Sequence, residues 1–251
     1  MTFLIAVVAT IALLNGTAAA QQAEDCGVPE TLISVENDLG RVVKEIKDRN
    51  RLDISVVGSG SSALSGPDGA RLGYPARLEE ALKRRLPGIE VTVTAHVQPR
   101  QPSADAADAM EKFLSADKPA LVIWQAGTVD AMRGVEPDDF RLSLDRGIEA
   151  VQSANADVIL MNMQYSPRTE SMLGVSAYAD VMHWVAQQRG VVLFDRLAIM
   201  RYWADAGTFD LYAPTKDYAM ARRVHDCIGR ALASQIINAA HLDAEKMQTT
   251  R

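Results

Sequence analysis

From residue 52 to residue 240 the chain alternates short apolar runs with longer stretches in which apolar residues recur every three or four positions. The runs at 52–57 (LDISVV), 89–95 (IEVTVTA), 120–124 (ALVIW), 156–163 (ADVILMNM) and 191–194 (VVLF) are rich in β-branched residues and predict strands. The intervening spacing predicts helices over 74–86, 104–116, 136–154, 176–190, 195–207 and 215–240. Residues 29–50 predict one extra helix ahead of the first strand. Strands that alternate with helices specify a parallel sheet, because each crossover must return over one face of the sheet. Five of them predict a single α/β domain of three layers, flavodoxin-like, with helices on both faces. Ligands bind such domains at the carboxyl ends of the strands. The loops that matter are therefore 58–66, 96–102, 125–134, 163–174 and 207–216.

The first 20 residues change the picture at one end. "FLIAVVATIALL" is shorter than the roughly 20 apolar residues a membrane span needs. It is followed by an Ala-x-Ala ending at Ala20, the form of a secretory signal peptide, with an uncleaved anchor as the alternative. The expected organisation is a signal peptide at 1–20, a tail with the extra helix at 21–51, the domain at 52–240 and a polar tail at 241–251. A periplasmic or secreted location follows, with no membrane span after cleavage. Two cysteines, Cys26 and Cys227, can then bridge and staple the tail to the last helix; two separate buried thiols are the alternative. Net charge is −6, so nothing points to nucleic acid or to an anionic membrane. The basic cluster Lys83–Arg85 falls on a helix and reads as a solvated face. No cofactor motif is present, and the oligomeric state is not encoded in any feature of the chain.

Loop by loop, four blocks resemble the SGNH/GDSL hydrolases, a family of ester hydrolases on a flavodoxin-like fold. They are "VVGSGSS" after the first strand, "HVQPRQPS" after the second, "VIWQAGTVDAMRG" after the third and "FDLYAPTKDY" before the last helix. The resemblance runs from about Asp53 to Ala233 and implies a serine nucleophile, an oxyanion hole that includes an asparagine, and an Asp-x-x-His pair. Carried over position by position, Gly58 and Ser59 match the first block and the nucleophile's place falls on Gly60. Gly127, Thr128 and Asp130 match the third block, with Val129 where the asparagine belongs. Asp210 matches the aspartate, and Ala213 holds the histidine's place. The second block has no glycine; its oxyanion position falls near Gln98–Arg100.

The resemblance therefore implies an ester hydrolase scaffold whose reactive groups are replaced, with an ester- or sugar-containing ligand as its remaining partner. The competing reading is an active ester hydrolase that uses a shifted serine, Ser61 or Ser59, together with Asp210. Among the histidines, His96 is the one placed near the pocket. His183 is expected to pack within a helix, His225 to lie three turns beyond Ala213 and away from the site, and His241 to fall in the tail. Arg100, Gln125, Gly127, Asp130, Tyr165 and Tyr212 are candidate ligand-binding residues. Arg100 is equally a candidate for an ion pair with Asp130 or Asp210. Asp130 and Asp210 lack the further histidine or carboxylate ligands that a metal site would need.

Overall fold

A computed structural model describes residues 26–212 and 218–242. The expected signal peptide, Ala213 and most of the C-terminal tail lie outside the described residues. In chain order the elements are α1 (Glu30–Ile33), α2 (Gly40–Arg49), β1 (Arg51–Gly58), α3 (Gly69–Leu72), α4 (Tyr74–Arg85) and β2 (Glu90–Val97), followed by α5 (Ser103–Asp117) and β3 (Leu121–Gln125). Then come α6 (Thr128–Arg133), α7 (Pro137–Ser153), β4 (Asp157–Met161), α8 (Pro167–Met172), α9 (Val175–Arg189), β5 (Val192–Phe194), α10 (Arg196–Asp205) and α11 (Ala219–Ala239).

All strand pairs are parallel, and the sheet order is β2-β1-β3-β4-β5. This is the flavodoxin-like winding, and it reverses direction between β1 and β3. Every residue of β3 is buried, as the apolar run 120–124 implies for a central strand covered on both faces. β2 is one of the two edge strands and buries only one of its eight residues, Val91. All five predicted strands are present within about two residues of their expected bounds.

The N-terminal segment differs from expectation. Residues 29–50 form two helices, α1 and α2, rather than one. Ser34 is extended at the end of α1, and Leu39, buried at 1% exposure, draws the chain into the core. At the start of α2 the carboxylate of Asp157 accepts from the amides of Arg41 (2.8 Å) and Val42 (3.0 Å). These amides have no partner within the helix. The break is thus set by a residue more than a hundred positions away.

Helix α11 lies across α4 at very short range. A Cβ on Gly229 would stand 2.7 Å from both the backbone nitrogen of Leu78 and the Cβ of Arg77. One turn earlier, His225 is buried and its Nδ1 accepts from the Tyr74 amide at 2.9 Å, capping α4. Burial, together with the nearby Arg196 guanidinium, pushes the His225 pKa down to about 3, so the ring stays neutral. Cys26 and Cys227 form a disulfide that joins the start of the described chain to α11. The indole nitrogen of Trp203 holds the same tail by donating to the Gly27 carbonyl (3.2 Å).

Three outcomes are expected. Gly229→Ala gains about 1 kcal/mol of helix propensity, but the clash is with backbone that cannot swing aside. The net effect is a loss of about 1–3 kcal/mol in denaturant unfolding. Reduction, or Cys26→Ser with Cys227→Ser, lowers stability by about 2–5 kcal/mol, because the bridge restrains a very long loop in the unfolded chain. Stability also falls with acid through His225. Unfolded, the ring takes a proton near its ordinary 6.5; folded, only near 3. Between those values the unfolded state binds the extra proton, and this group removes about 1.4 kcal/mol per pH unit as pH drops. Above 6.5 it contributes no slope. His225→Asn, which keeps an acceptor for the Tyr74 amide, should flatten unfolding free energy against pH in that window.

Candidate functional site

The direction reversal between β1 and β3 leaves a narrow crevice at the carboxyl edge of the sheet. Gly58, Ser59, Gln125, Gly127, Val129 and Asp130 line it. β1 ends at Gly58 because no side chain fits there: a Cβ would fall 2.0 Å from Ser62 Oγ. The chain then makes a single 3₁₀ turn, Gly60–Ser62, with Ser59 extended ahead of it. Gly60 is exposed and Ser61 half-buried, while Ser62 points inward. At the end of β3, Gly127 has φ +95° and its Cβ would meet Met163 Sδ at 2.4 Å, so only glycine makes this bend.

Gly60, Val129 and Ala213 stand at the three places where the resemblance implies reactive groups. Gly60 opens the turn directly after β1, with no atom within 4 Å of where its Cβ would stand. Val129 lines the crevice and has no hydrogen-bond donor to offer. Ala213 lies outside the described residues.

Each of the four histidines has a partner other than a loop serine. His96 Nε2 is 2.5 Å from Asp117 and its ring stacks on Phe113; Asp117 also accepts from Ser55 Oγ. His183 is not a packing residue, because its Nε2 meets Asp195 at 2.8 Å on a half-exposed face. Its pKa is raised by the hydrogen bond to that carboxylate. His241 Nε2 meets Asp38 at 2.8 Å. His225 corrects the expectation that it lies far from the site. It stacks on Tyr74, with ring centroids 6.0 Å apart, because α11 crosses α4 there. Its acceptor nitrogen is already bonded to the Tyr74 amide. Among the described residues, no histidine bonds to Ser59, Ser61 or Ser62.

The proposed ion pair between Arg100 and Asp130 does not form. Asp130 is buried and accepts from the Ser103 amide (2.9 Å), the Ser103 hydroxyl (2.8 Å) and the Gly127 amide (3.3 Å). It ties the β2–α5 loop to the β3–α6 loop. Arg100 is exposed in the left-handed region (φ 61°), and its carbonyl accepts from Arg133. Asp210 is exposed and accepts from the Tyr212 amide in its own turn (3.1 Å). Tyr165 is buried beneath the Arg201 guanidinium, and Tyr212 is largely exposed. The structure thus gathers Ser59, Gln125, Gly127 and Asp130 at the crevice, sets Ser61 against Gln125 in the adjoining turn, and gives Arg100, Asp210, Tyr165 and Tyr212 partners of their own.

Beneath the Gly60–Ser62 turn lies a polar cluster of which the sequence reading names Ser59, Ser61 and Gln125 but not Ser62, Tyr74 or Arg196. Gln125, 4% exposed, accepts on Oε1 from Ser62 Oγ (2.6 Å), Tyr74 OH (3.5 Å) and Arg196 (3.3 Å). Its Nε2 donates to Ser61 Oγ (2.6 Å) and Ser59 Oγ (3.5 Å). Arg196 is 1% exposed and also donates to the Ser61 carbonyl (3.4 Å) and to Gln164 (3.4 Å), over the Tyr74 ring (5.7 Å). Its Nε has no partner. Burial lowers its pKa to about 10, so it remains a cation at neutral pH. One signal was available in the sequence: Arg196 comes two residues after the last strand ends, at the sheet edge where ligands bind.

Comparison with known proteins agrees with this architecture. TesA aligns at 21% identity over 74% of this chain and 99% of its own, with a TM-score of 0.59. A catalytic mutant of Axe2, an acetylxylan esterase from Geobacillus stearothermophilus, aligns at 18% identity over 74% and 94% with a TM-score of 0.59. A lipase/acylhydrolase from Enterococcus faecalis aligns at 21% identity over 74% and 95%, with a TM-score of 0.55. No curated protein sequence matches the chain. Residues 25–242 match the non-GDSL lipase-like family. The chain therefore belongs to the non-GDSL lipase-like family, on the SGNH/GDSL hydrolase fold.

Proposed function

We propose that this protein is an exported member of the hydrolase family that binds an ester- or sugar-containing ligand at the β1–β3 crevice without cleaving it. One observation carries the reading: each of the four histidines is engaged with a partner other than the loop serines. A serine hydroxyl without a base to take its proton is a poor nucleophile. Gly60 supplies no hydroxyl and Val129 no oxyanion donor, and loss of one such donor alone costs about 10²–10³ in rate. Gln125 and the serines remain as polar contacts for a ligand. Export is supported by the apolar N-terminal run and by the disulfide, a bond suited to an oxidising compartment.

The alternative of an active hydrolase rests on Ser59, which lines the crevice, and on Ser61, a half-buried residue of the adjoining turn. A fluorophosphonate probe separates the two readings. The expected result is no covalent adduct on the mature protein by intact mass, and p-nitrophenyl acetate turnover equal to that of a Ser59→Ala, Ser61→Ala variant. An adduct on Ser59 or Ser61, with turnover lost in the variant, would establish the active hydrolase instead.

A further inference from the structure

Arg196 is a cation sealed inside the protein, and among the described residues its contacts are all neutral. Its contacts are the Ser61 carbonyl, Gln125 Oε1 and Gln164 Oε1, all at 3.3–3.4 Å, and the face of Tyr74. His225, packed beside Tyr74, is held neutral. Among the described residues no carboxylate forms an ion pair with it, although buried cations are ordinarily paired. One of its own donors, Nε, is unused. The positive charge is therefore uncompensated within the described fold.

The field of that charge has a defined way out. Arg196 donates to Gln125 Oε1, and this fixes which end of the Gln125 amide faces inward. The other end, Nε2, donates to Ser61 Oγ at 2.6 Å. A hydroxyl that accepts from below keeps its own proton to donate elsewhere. Guanidinium, amide and hydroxyl form a chain of dipoles all pointing the same way, and such chains polarise one another. The chain ends at the half-buried hydroxyl of Ser61. Beside it, the place of a side chain at Gly60 is open space, with nothing within 4 Å.

We infer that the Gly60–Ser62 turn is a carboxylate-binding site, in which a ligand carboxylate fills the space over Gly60 and accepts from the Ser61 hydroxyl, with Arg196 as its counter-charge relayed through Gln125. The single positive charge suits a monoanion. A carboxylate is also what cleavage of an ester leaves, so the inference deepens the binding reading given above and rests on it. Ser61 acts here as a donor, not a nucleophile, and Gln125 is a positioning residue that carries the charge outward.

The test uses the mature, disulfide-bonded protein and sodium acetate, exchanged for sodium chloride at constant ionic strength, with Tm and isothermal titration as readouts. The wild type should show saturable stabilisation. Ser61→Ala should weaken acetate binding at least tenfold. Gln125→Glu is nearly isosteric and places a carboxylate against Arg196; it should raise Tm without ligand and also weaken acetate binding at least tenfold. A wild type that gives no saturable response, or either variant binding acetate as the wild type does, overturns the inference. Should Gln125→Glu fail to fold, Ser61→Ala alone decides. Inorganic phosphate binding more tightly than acetate overturns the carboxylate assignment. Fluorophosphonate labelling is read separately: an adduct on Ser61 removes the non-hydrolytic reading, whereas absent acetate binding with no adduct removes only the carboxylate site.

Discussion

A guanidinium enclosed at 1% exposure has to be solvated by the protein itself, and the arrangement of the β1–β3 edge follows from that requirement. Moving an unpaired ion from water into a dry interior costs tens of kcal/mol in the Born limit and several after relaxation. Among the described residues no carboxylate pairs with Arg196, so there the work falls to fixed dipoles. The Ser61 carbonyl is turned inward, which sets the pitch of the Gly60–Ser62 turn. Gln125 presents its oxygen to the charge and thereby its amide hydrogens to Ser59 and Ser61. Ser62 folds under the turn onto the same oxygen, and this is why Gly58 has no room for a Cβ. The loop on which the family places its reaction is here shaped from below by a cation.

The scaffold and this cluster were legible to different degrees. A parallel strand buried on both faces writes itself as an unbroken apolar run, so β1, β3, β4 and β5 could be read directly. β2 was readable through its β-branched alternation. The break between α1 and α2 could not be read, because the group that caps α2 is Asp157, contributed by the start of β4. Helical periodicity misplaced His225 for a related reason. It gives spacing along one helix but not where that helix crosses another, and the close approach at Gly229 brings His225 onto Tyr74. His183 was read as packing because its neighbours are apolar, yet its partner Asp195 follows the next strand.

At the site, legibility divided between backbone and charge. Gly127 and Asp130 announce a tight bend and an acceptor for it, and both do that work. The empty places at Gly60 and Val129 were visible because they are defined by position in a loop. Arg196 went unread since an arginine in the first turn of a helix ordinarily faces water. Asp130 also shows why an ion pair with Arg100 was a poor guess: a carboxylate buried under a loop is satisfied by nearby amides and hydroxyls, whereas Arg100 stays exposed on the β2–α5 loop.

Fold and chemistry thus separate in this molecule. Nothing in the packing of the sheet depends on a nucleophile. The core from Leu39 to Leu242 closes around the crevice with glycine, valine and a buried aspartate at its rim. The polar cluster beneath the turn is a different matter. Buried charged groups can often be exchanged for apolar ones at no cost to stability, so such a cluster is weak support for the fold itself. Seen as a stabilising device, Arg196 is a liability, with long contacts to neutral oxygens and one unused donor. As the inner end of a donor chain that reaches Ser61, the same features have a use: the charge is held where it cannot be screened by salt and is presented through groups that an incoming anion can reach. On the reading proposed above, the buried cation and the absence of a histidine bonded to the loop serines among the described residues belong to one arrangement, suited to holding a negative charge and not to generating a nucleophile.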